Sequence, residues 1–399
     1  MNQPKSFRSL IAAASSAAAL AGGSLYAGDG KVVIDDKAPV AEPEAWTFCD
    51  LFDNNTLYEG DGFIKSVEII GRYHGQYISQ NEDIGDTSND YNRWQHRRAR
   101  LGMVIEMEHG LSFMAENNMA DNEGLFANRW QNDWQDFTIR WKPQDDFYIT
   151  VGKQKQDFTI EDSTSSKRIL TVERSPIVNE TAGARPWGAV VNFDFAGFSN
   201  QVGGWISGGD DSWGGWPDFD SNASFSFNTA YEIFEGTDFR LDYVFNDNGG
   251  GTESSRGNAD RSYASAYQHG FAVGTDSEFG QLGLITNFIW GWNRNGSGGL
   301  PDKHDTWGLV VMPYYDVTEK IQAVFRWAYM SDGREQRTAR FDRRVAVSNY
   351  HTFYGGINYK ICGDKLKLMA GYEYATGDTF SGGDDIDTSS WQFAVRTYF

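Results

Sequence analysis

The residues best suited to chemistry in this chain are cations gathered into one short segment of an acidic sequence. The 399 residues carry a formal charge of -20, yet the stretch "GKQKQDFTIEDSTSSKRILTVERSP" is rich in basic side chains. These are Lys153, Lys155, Lys167, Arg168 and Arg174. Arg offers a fixed fork of donors and Lys a flexible point charge, and both bind anions. The segment is therefore predicted to contact anions, and its position in the fold determines which anions these are.

The start of the chain predicts export. Lys5 and Arg8 precede an Ala-rich apolar stretch that ends in small residues at Ala27, an arrangement typical of a secretory signal peptide. We predict a signal peptide over 1–27. Residues 28–62 are polar and acidic, and we predict a partly disordered periplasmic extension there. The remainder, 63–399, forms the third predicted unit.

Composition favours a membrane β-barrel over a soluble domain. Aromatic residues make up 15% of a chain that has 44 Gly and a polar overall composition. Outer-membrane barrels need aromatic residues at two interfaces and polar residues inside. No stretch after the signal reaches the ~20 apolar residues of a spanning helix. The sequence pI near 4.7 disfavours nucleic acid as a partner, because phosphate neutralisation needs a basic surface.

Alternation with period two begins near Ser66 and continues to Phe399. In "FTIRW", Phe137, Ile139 and Trp141 share one face while Thr138 and Arg140 share the other. Such segments recur sixteen times, beginning with 66–79 and 94–108, and an even number of antiparallel strands closes a bacterial barrel. Closure is required in lipid, where unpaired backbone groups cannot be satisfied. We predict an all-β fold, a 16-stranded antiparallel transmembrane barrel.

Connections between the segments alternate in length, as expected for short periplasmic turns and long extracellular loops. The short turns include "HG" at 109, "AG" at 196 and "EG" at 235. The predicted long loops are 80–93, 121–133, 154–185, 208–222, 247–265, 293–303, 331–349 and 377–388.

The residue parity opposite to the apolar face predicts which charges line the barrel interior. The predicted inward cations are Arg72, His74, Arg98, Arg100, Arg140, Lys142, Arg240, Arg326, Lys360, Lys365, Lys367 and Arg396. The predicted inward acids are Glu68, Glu106, Glu108, Asp194, Glu232, Asp242 and Glu373. Cations exceed acids in this count, and rings of Arg or Lys select anions. The basic loop 154–185 either meets anionic lipopolysaccharide outside or folds inward and narrows the interior.

Four short stretches resemble the phosphate-selective porin O and P family. They are "RRARLG" at 97–102, "GKQKQDFTIED" at 152–162, "SSKRILTVERS" at 165–175 and the terminal "WQFAVRTYF". The resemblance implies a trimeric outer-membrane anion channel in which the loop after the fifth strand folds inward. It points to Lys153, Lys155, Lys167, Arg168 and Arg174 at the constriction.

The same resemblance places Arg98, Arg100 and Arg140 on the wall, and the inward parity adds Arg326. Asp157, Glu161, Asp162 and Glu173 interleave with the loop cations, and no run of lysines marks a phosphate centre. We therefore expect an anion-biased channel for phosphate or similar small anions rather than a dedicated phosphate site. Its expected partners are outer-membrane lipid, lipopolysaccharide and small anionic or polar solutes.

Other functions stay open. Trp205, Trp213, Trp216 and Trp292 could stack sugars in a carbohydrate-type or general diffusion porin, or form an interfacial girdle. A plugged structural barrel is a third class. The six His show neither metal spacing nor a nucleophile turn, so we expect no enzyme. We expect no cofactor, apart from weak structural calcium at "GGDDSW" (208–213) and "GGDDIDTSS" (382–390) or between these loops and lipopolysaccharide phosphates.

The two cysteines give the first testable prediction. Cys49 lies in the extension and Cys362 in a short turn, so both are expected on the oxidising periplasmic side, where disulfides persist. We predict a Cys49–Cys362 disulfide that joins the extension to the barrel. Peptide mapping without reductant should recover one linked peptide pair, and recovery of two free thiols would refute it.

Overall fold

The computed structural model describes residues 47–53, 55–120, 134–181, 185–207, 222–246, 267–294, 304–334, 346–380 and 383–399. The predicted signal peptide, most of the extension and several predicted loops lie outside these residues, and the predicted unit boundaries stay predictions. The chain divides into residues 1–51 and 52–399. In the first unit a 3₁₀ turn begins at Phe48.

Seventeen strands are described, and the last sixteen build the barrel. Their bounds are β1 Thr56–Glu59, β2 Ile64–Ile84, β3 Thr87–Met107, β4 Leu111–Asn118, β5 Trp134–Gln144, β6 Phe147–Lys153, β7 Trp187–Phe195, β8 Phe198–Ser207, β9 Asn222–Phe234, β10 Thr237–Asn246, β11 Tyr267–Phe279, β12 Leu282–Arg294, β13 His304–Asp316, β14 Ile321–Arg334, β15 Ala346–Lys360, β16 Leu366–Thr379 and β17 Asp385–Tyr398.

Each barrel strand pairs antiparallel with the next, and β17 pairs with β2 to close the sheet. The predicted sixteen-stranded antiparallel barrel is confirmed. Phe399 and Gly71 exchange two backbone hydrogen bonds at the closure, both 3.1 Å. Beyond them, β1 pairs with 66–68 of β2, on the part of the edge that β17 does not reach. Backbone groups along the whole closing edge are thus paired, as lipid requires.

Two predicted long loops are wrong in length. The segment 80–93 belongs to a hairpin whose strands β2 and β3 meet at a two-residue turn, Gly85–Asp86, with Gly85 at φ +52°. Segment 377–388 shrinks in the same way, since β16 runs to Thr379 and β17 starts at Asp385. In both places polar residues continue the ladder beyond the aromatic band, so polarity did not mark the end of a strand.

The predicted inward parity holds along the strands. On β16, Lys367 and Met369 are buried while Leu368 and Tyr372 are exposed on the outer face. The outer face is rich in exposed aromatic and aliphatic side chains, which suits lipid contact. Among the described residues, no helix is long and apolar enough to span a bilayer.

Part of the barrel interior is apolar, against the expectation of a polar inner face. Inward side chains of β10–β17, among them Val244, Ile289, Met312 and Met330, pack with the connection between β6 and β7. That connection contains two short helices, α1 (Ile160–Ser163) and α2 (Pro176–Thr181). Phe158, Ile160, Ile177 and Val178 from this connection join the same cluster.

The approach of α2 to the wall is close. A Cβ added at Gly308 on β13 would lie 2.7 Å from Ile177 Cγ1 and 2.3 Å from the Tyr329 carbonyl oxygen. Glycine is therefore required there so that the helix can reach the strand. Hydrophobic burial thus places the connection against one side of the interior.

Candidate functional site

The connection between β6 and β7, called the basic loop below (residues 154–185, described over 154–181 and at 185), contacts inward side chains of many strands. At its start, Gln156 Nε2 donates to Ser224 Oγ on β9 at 3.4 Å, and the Thr159 amide donates to Asp242 Oδ2 on β10 at 2.9 Å. Asn228 Nδ2 donates to the Asp157 carbonyl at 3.0 Å. The loop therefore contacts strands β9 and β10 of the barrel wall within a few residues of leaving β6.

A buried guanidinium holds the middle of the basic loop. Arg326 on β14 is 1% exposed. Its Nη1 donates to Glu161 Oε1 at 3.2 Å, to Thr171 Oγ1 at 3.1 Å and to the Glu173 carbonyl at 2.7 Å. Its Nη2 donates to Glu373 on β16 at 2.6 Å. Arg326 therefore joins two parts of the loop to two strands of the wall.

Backbone carbonyls of the next loop segment accept hydrogen bonds from side chains on β15, β16 and β17. Lys367 Nζ donates to the Ile169 carbonyl at 3.0 Å, and Asn358 Nδ2 donates to the Leu170 carbonyl at 2.9 Å. Arg396 Nη2 donates to the Val172 carbonyl. Residues 169–172 contain no regular structure that would satisfy these oxygens, so the wall supplies the donors.

Glu173 follows at once and meets the wall on β2 and β3. Its Oε1 accepts from Gln76 Nε2 at 2.7 Å and from Arg97 Nε at 2.8 Å. Arg97 reaches the interior because β2 and β3 shift register between His74 and Gly75, opposite His96–Arg98. A β-bulge of this kind re-aims a side chain. Arg97, Arg98 and Arg100 can therefore all point inward, although strict alternation would turn Arg97 to lipid.

A second buried carboxylate near the basic loop pairs with two guanidinium groups. Glu116 on β4 accepts from Arg72 at 2.7 Å and from Arg100 at 3.1 Å. Arg72 also donates to Ser166 Oγ at 3.0 Å. Arg185, where the loop returns to β7, pairs with Asp136 at 2.6 Å. Most inward acids beside the loop are thus neutralised by a guanidinium.

Two of the five predicted loop cations bond to the loop itself. Lys155 bonds the Asp162 carbonyl and pairs with its carboxylate at 3.2 Å. Arg174 donates to the carbonyls of Glu161, Asp162 and Thr164, at the end of α1. These two cations therefore hold the loop's own fold. Lys153 is buried at the end of β6, and Arg168 is exposed.

Lys167 has a different setting. Its Nζ lies 4.7 Å from the ring centroid of Tyr398 on β17, and the side chain is half-buried. Among the described residues, it has no carboxylate within 4 Å. Burial first, and then the nearby Arg72 cation, lower the pKa of Lys167 to about 8. Lys167 is charged below that pH and neutral above it.

Of the predicted wall cations, Arg326 and Arg100 form ion pairs, while Arg98 and Arg140 form none with the residues that the structure describes. Arg140 donates through Nε to Thr150 Oγ1 at 3.3 Å and lies 5.0 Å from the Tyr148 ring centroid. Arg98 is 8% exposed and has an Nη1 without a hydrogen-bond partner in the described structure. Neither has a carboxylate within 4 Å in that same part of the chain.

The aromatic residues predicted as alternative sugar platforms lie apart. Trp205 is buried against the barrel interior, where its Nε1 donates to Ser226 Oγ at 2.8 Å. Trp292 stacks on His269, centroids 4.7 Å apart, with Tyr243 beside them on the outer face. Trp213 and Trp216 lie outside the described residues. This arrangement favours an interfacial girdle for Trp292.

Several functional contacts were missed in the sequence: Glu161 and Glu116 as acceptors, Arg97, and the tie of Arg396 to the loop. Alternation already placed Arg396 inward, but its partner is distant in sequence. Neither Cys49 nor Cys362, both within the described residues, is a free thiol, and their pairing stays the prediction made above. No group of metal-ligating residues occurs in the described segments, and the 208–213 candidate lies outside them.

The sequence model of the phosphate-selective porin O and P family matches residues 67–215, which confirms the predicted resemblance over that segment. No curated protein sequence matches the chain significantly. The fold is similar to an anion-selective porin from Comamonas acidovorans, with TM-score 0.57 and 13% identity over 84% of this chain and 99% of that one. It is also similar to the outer-membrane channel DcaP of Acinetobacter baumannii, with TM-score 0.54 and 12% identity over 86% and 99%.

Barrel and family match together define the class. The fold is that of outer-membrane porins, and the barrel together with the family match supports a location in the bacterial outer membrane. Residues 67–215 resemble the phosphate-selective porin O and P family.

The Arg326 contacts give the second testable prediction. Arg326→Gln leaves Glu161 and Glu373 buried without their cation, and breaking such a pair costs about 3–5 kcal/mol. We expect the free energy of unfolding in urea to fall by that amount. Lys360→Gln is the control, because its partner Asp316 is 38% exposed and exposed pairs contribute about 0–1 kcal/mol. Equal losses in the two variants would refute the anchoring role of Arg326.

Proposed function

We propose that this porin conducts small anions in preference to cations. The observation that carries the proposal is the set of inward cations without a carboxylate within 4 Å in the described structure. They are Arg98, Arg140, Arg396 and Lys167, of which Arg140 and Lys167 are partly exposed while Arg98 and Arg396 are buried. Three acids beside the basic loop, in contrast, are held by a guanidinium: Glu116 by Arg72, Glu161 by Arg326 and Glu173 by Arg97. Unpaired cations on a water-filled path lower the entry barrier for anions.

The basic loop is proposed to set the narrow part of the path. Its contacts with β9–β17, β2 and β3 support this role, because they place 154–181 against much of the interior wall. Arg140 and Tyr148 lie on β5 and β6, from which the loop departs. An anion moving past the loop would meet Lys167 on the loop and Arg140 on the wall.

Each cation offers a shallow site, and conduction needs sites that an ion can leave. Phosphate or similar small anions are the proposed solutes. A carbohydrate-type channel finds less support, because Trp205 is engaged with Ser226 and Trp292 lies on the outer face. We also propose a homotrimer in contact with lipid and lipopolysaccharide, which light scattering on the detergent-purified protein would check.

Ion selectivity tests the proposal directly. In planar bilayers under a KCl gradient, we expect a reversal potential that favours chloride. Replacing Lys167 and Arg168 together by Glu should shift the reversal potential towards potassium. A unit charge 4 Å from an ion contributes about 1 kcal/mol in water, which corresponds to about fivefold in permeability ratio for each charge removed. Lys65→Gln is a control, because that cation is exposed on β2 and paired with Glu108. A wild-type channel that prefers potassium would refute the proposal.

The pKa of Lys167 gives a pH-dependent prediction. Because that pKa is lowered to about 8, Lys167 loses its charge as the pH rises from 7 to 9. Anion preference should therefore fall across this window, by up to about fivefold in permeability ratio.

The step should vanish in Lys167→Gln and in Lys167→Arg, and only Lys167→Arg should keep the high anion preference. Burial also lowers the pKa of Lys155 to about 8. A step that persists in Lys167→Gln would therefore assign the titration to Lys155 and contradict the role given to Lys167.

A further inference from the structure

Three neighbouring strands bring buried polar side chains to one level of the interior wall. His74 on β2 lies opposite Arg98 on β3 in the ladder register, and opposite Arg396 on β17 on its other side. His74 and Arg396 are fully buried, and Arg98 is 8% exposed. The row Arg396–His74–Arg98 is called the β17–β3 row below.

The row holds polar atoms that have no hydrogen-bond partner in the described structure. They are Nε and Nη1 of Arg396, both ring nitrogens of His74 and Nη1 of Arg98. A buried donor without an acceptor costs stability. Every guanidinium N–H is a donor, and a neutral imidazole adds one more. The row is therefore short of acceptors.

The row is also short of negative charge. Glu173 is the nearest loop carboxylate, but its Oε1 is bonded to Arg97 and Gln76. In the part of the chain that the structure describes, neither Arg98 nor Arg396 has a carboxylate within 4 Å. Buried charges are normally paired, because desolvation without a counter-ion is costly. Water satisfies donors but does not neutralise two guanidinium groups, whereas an anion does both.

The neighbouring Glu173 indicates which anion the place accepts. Its carboxylate already sits against this wall, held by one guanidinium N–H and one amide N–H. The surrounding Arg97, Arg98 and Arg396 hold the pKa of Glu173 at about 2, although burial opposes this. A second planar carboxylate matches the fork of donors that a guanidinium presents.

We propose that a small organic carboxylate binds at the β17–β3 row. There the unpartnered N–H groups of Arg98, His74 and Arg396 donate hydrogen bonds to its oxygens. Glu173 stays bonded to Arg97 and Gln76 and limits the affinity by like-charge repulsion, so that the ligand leaves again. The proposal rests on the proposed function, because the ligand reaches the row along the anion path.

The experiment measures the chloride current of single channels in planar bilayers while acetate is added. We expect acetate to reduce the current, with a half-maximal concentration roughly tenfold higher in Arg98→Gln, because a hydrogen bond to a charged group is lost. The matched control is Lys142→Gln, which removes an exposed cation at the short-turn end of β5 that pairs with Asp145. The control should keep the wild-type acetate response.

Glu173→Gln provides a change in the opposite direction, which misfolding does not produce. Removing the repelling charge should lower the half-maximal acetate concentration several-fold. An acetate response that is absent, or equal in wild type, Arg98→Gln and Glu173→Gln, overturns the proposal. A tenfold stronger response to phosphate than to acetate overturns the carboxylate assignment.

The two proposals fail separately. A channel that prefers chloride in a KCl gradient but ignores acetate keeps the proposed function and loses the carboxylate site. A channel that prefers potassium loses the proposed function itself.

Discussion

The buried guanidinium of Arg326 is the interaction on which the interior depends. A charge removed from water needs partners on every side, and Arg326 finds them in Glu161, Thr171 and the Glu173 carbonyl on the loop and in Glu373 on the wall. Once these bonds form, both ends of 161–173 are fixed against β14 and β16. The apolar packing of Ile177 and its neighbours then holds the following helix on the same side.

This anchoring decides which charges remain available to a passing ion. The loop contains acidic residues of its own. Two of them form ion pairs with guanidinium groups of the wall, Glu161 with Arg326 and Glu173 with Arg97. Two of its cations, Lys155 and Arg174, bond to carbonyl groups of the loop itself and to Asp162. Lys167 lies over the ring of Tyr398 and has no carboxylate partner among the described residues. Arg98, Arg140 and Arg396 on the wall have none there either. The chain is acidic overall, yet these four cations have no carboxylate within 4 Å in the described part of the chain.

The sequence predicted the barrel well, because alternation with period two survives in nearly every strand and most connections alternate in length. It also placed Arg98, Arg140 and Arg326 inward. It missed Arg97, because a bulge is invisible to a strict parity rule. It missed the apolar cluster in the interior, although "WGLVVMPYY" on β13 is apolar in both parities. Several loop contacts join residues more than 150 positions apart, such as Arg326 and Glu161, and no local pattern encodes such pairs.

Anomalous diffraction from crystals grown in sodium bromide would test the central claim most directly, since bromide marks where the interior accepts anions. The account predicts the basic loop inside the barrel, with Arg326 between Glu161 and Glu373, and bromide beside Lys167 and at the row formed by Arg98, His74 and Arg396. A loop that lies outside the barrel, or an interior without bromide at these cations, would contradict it.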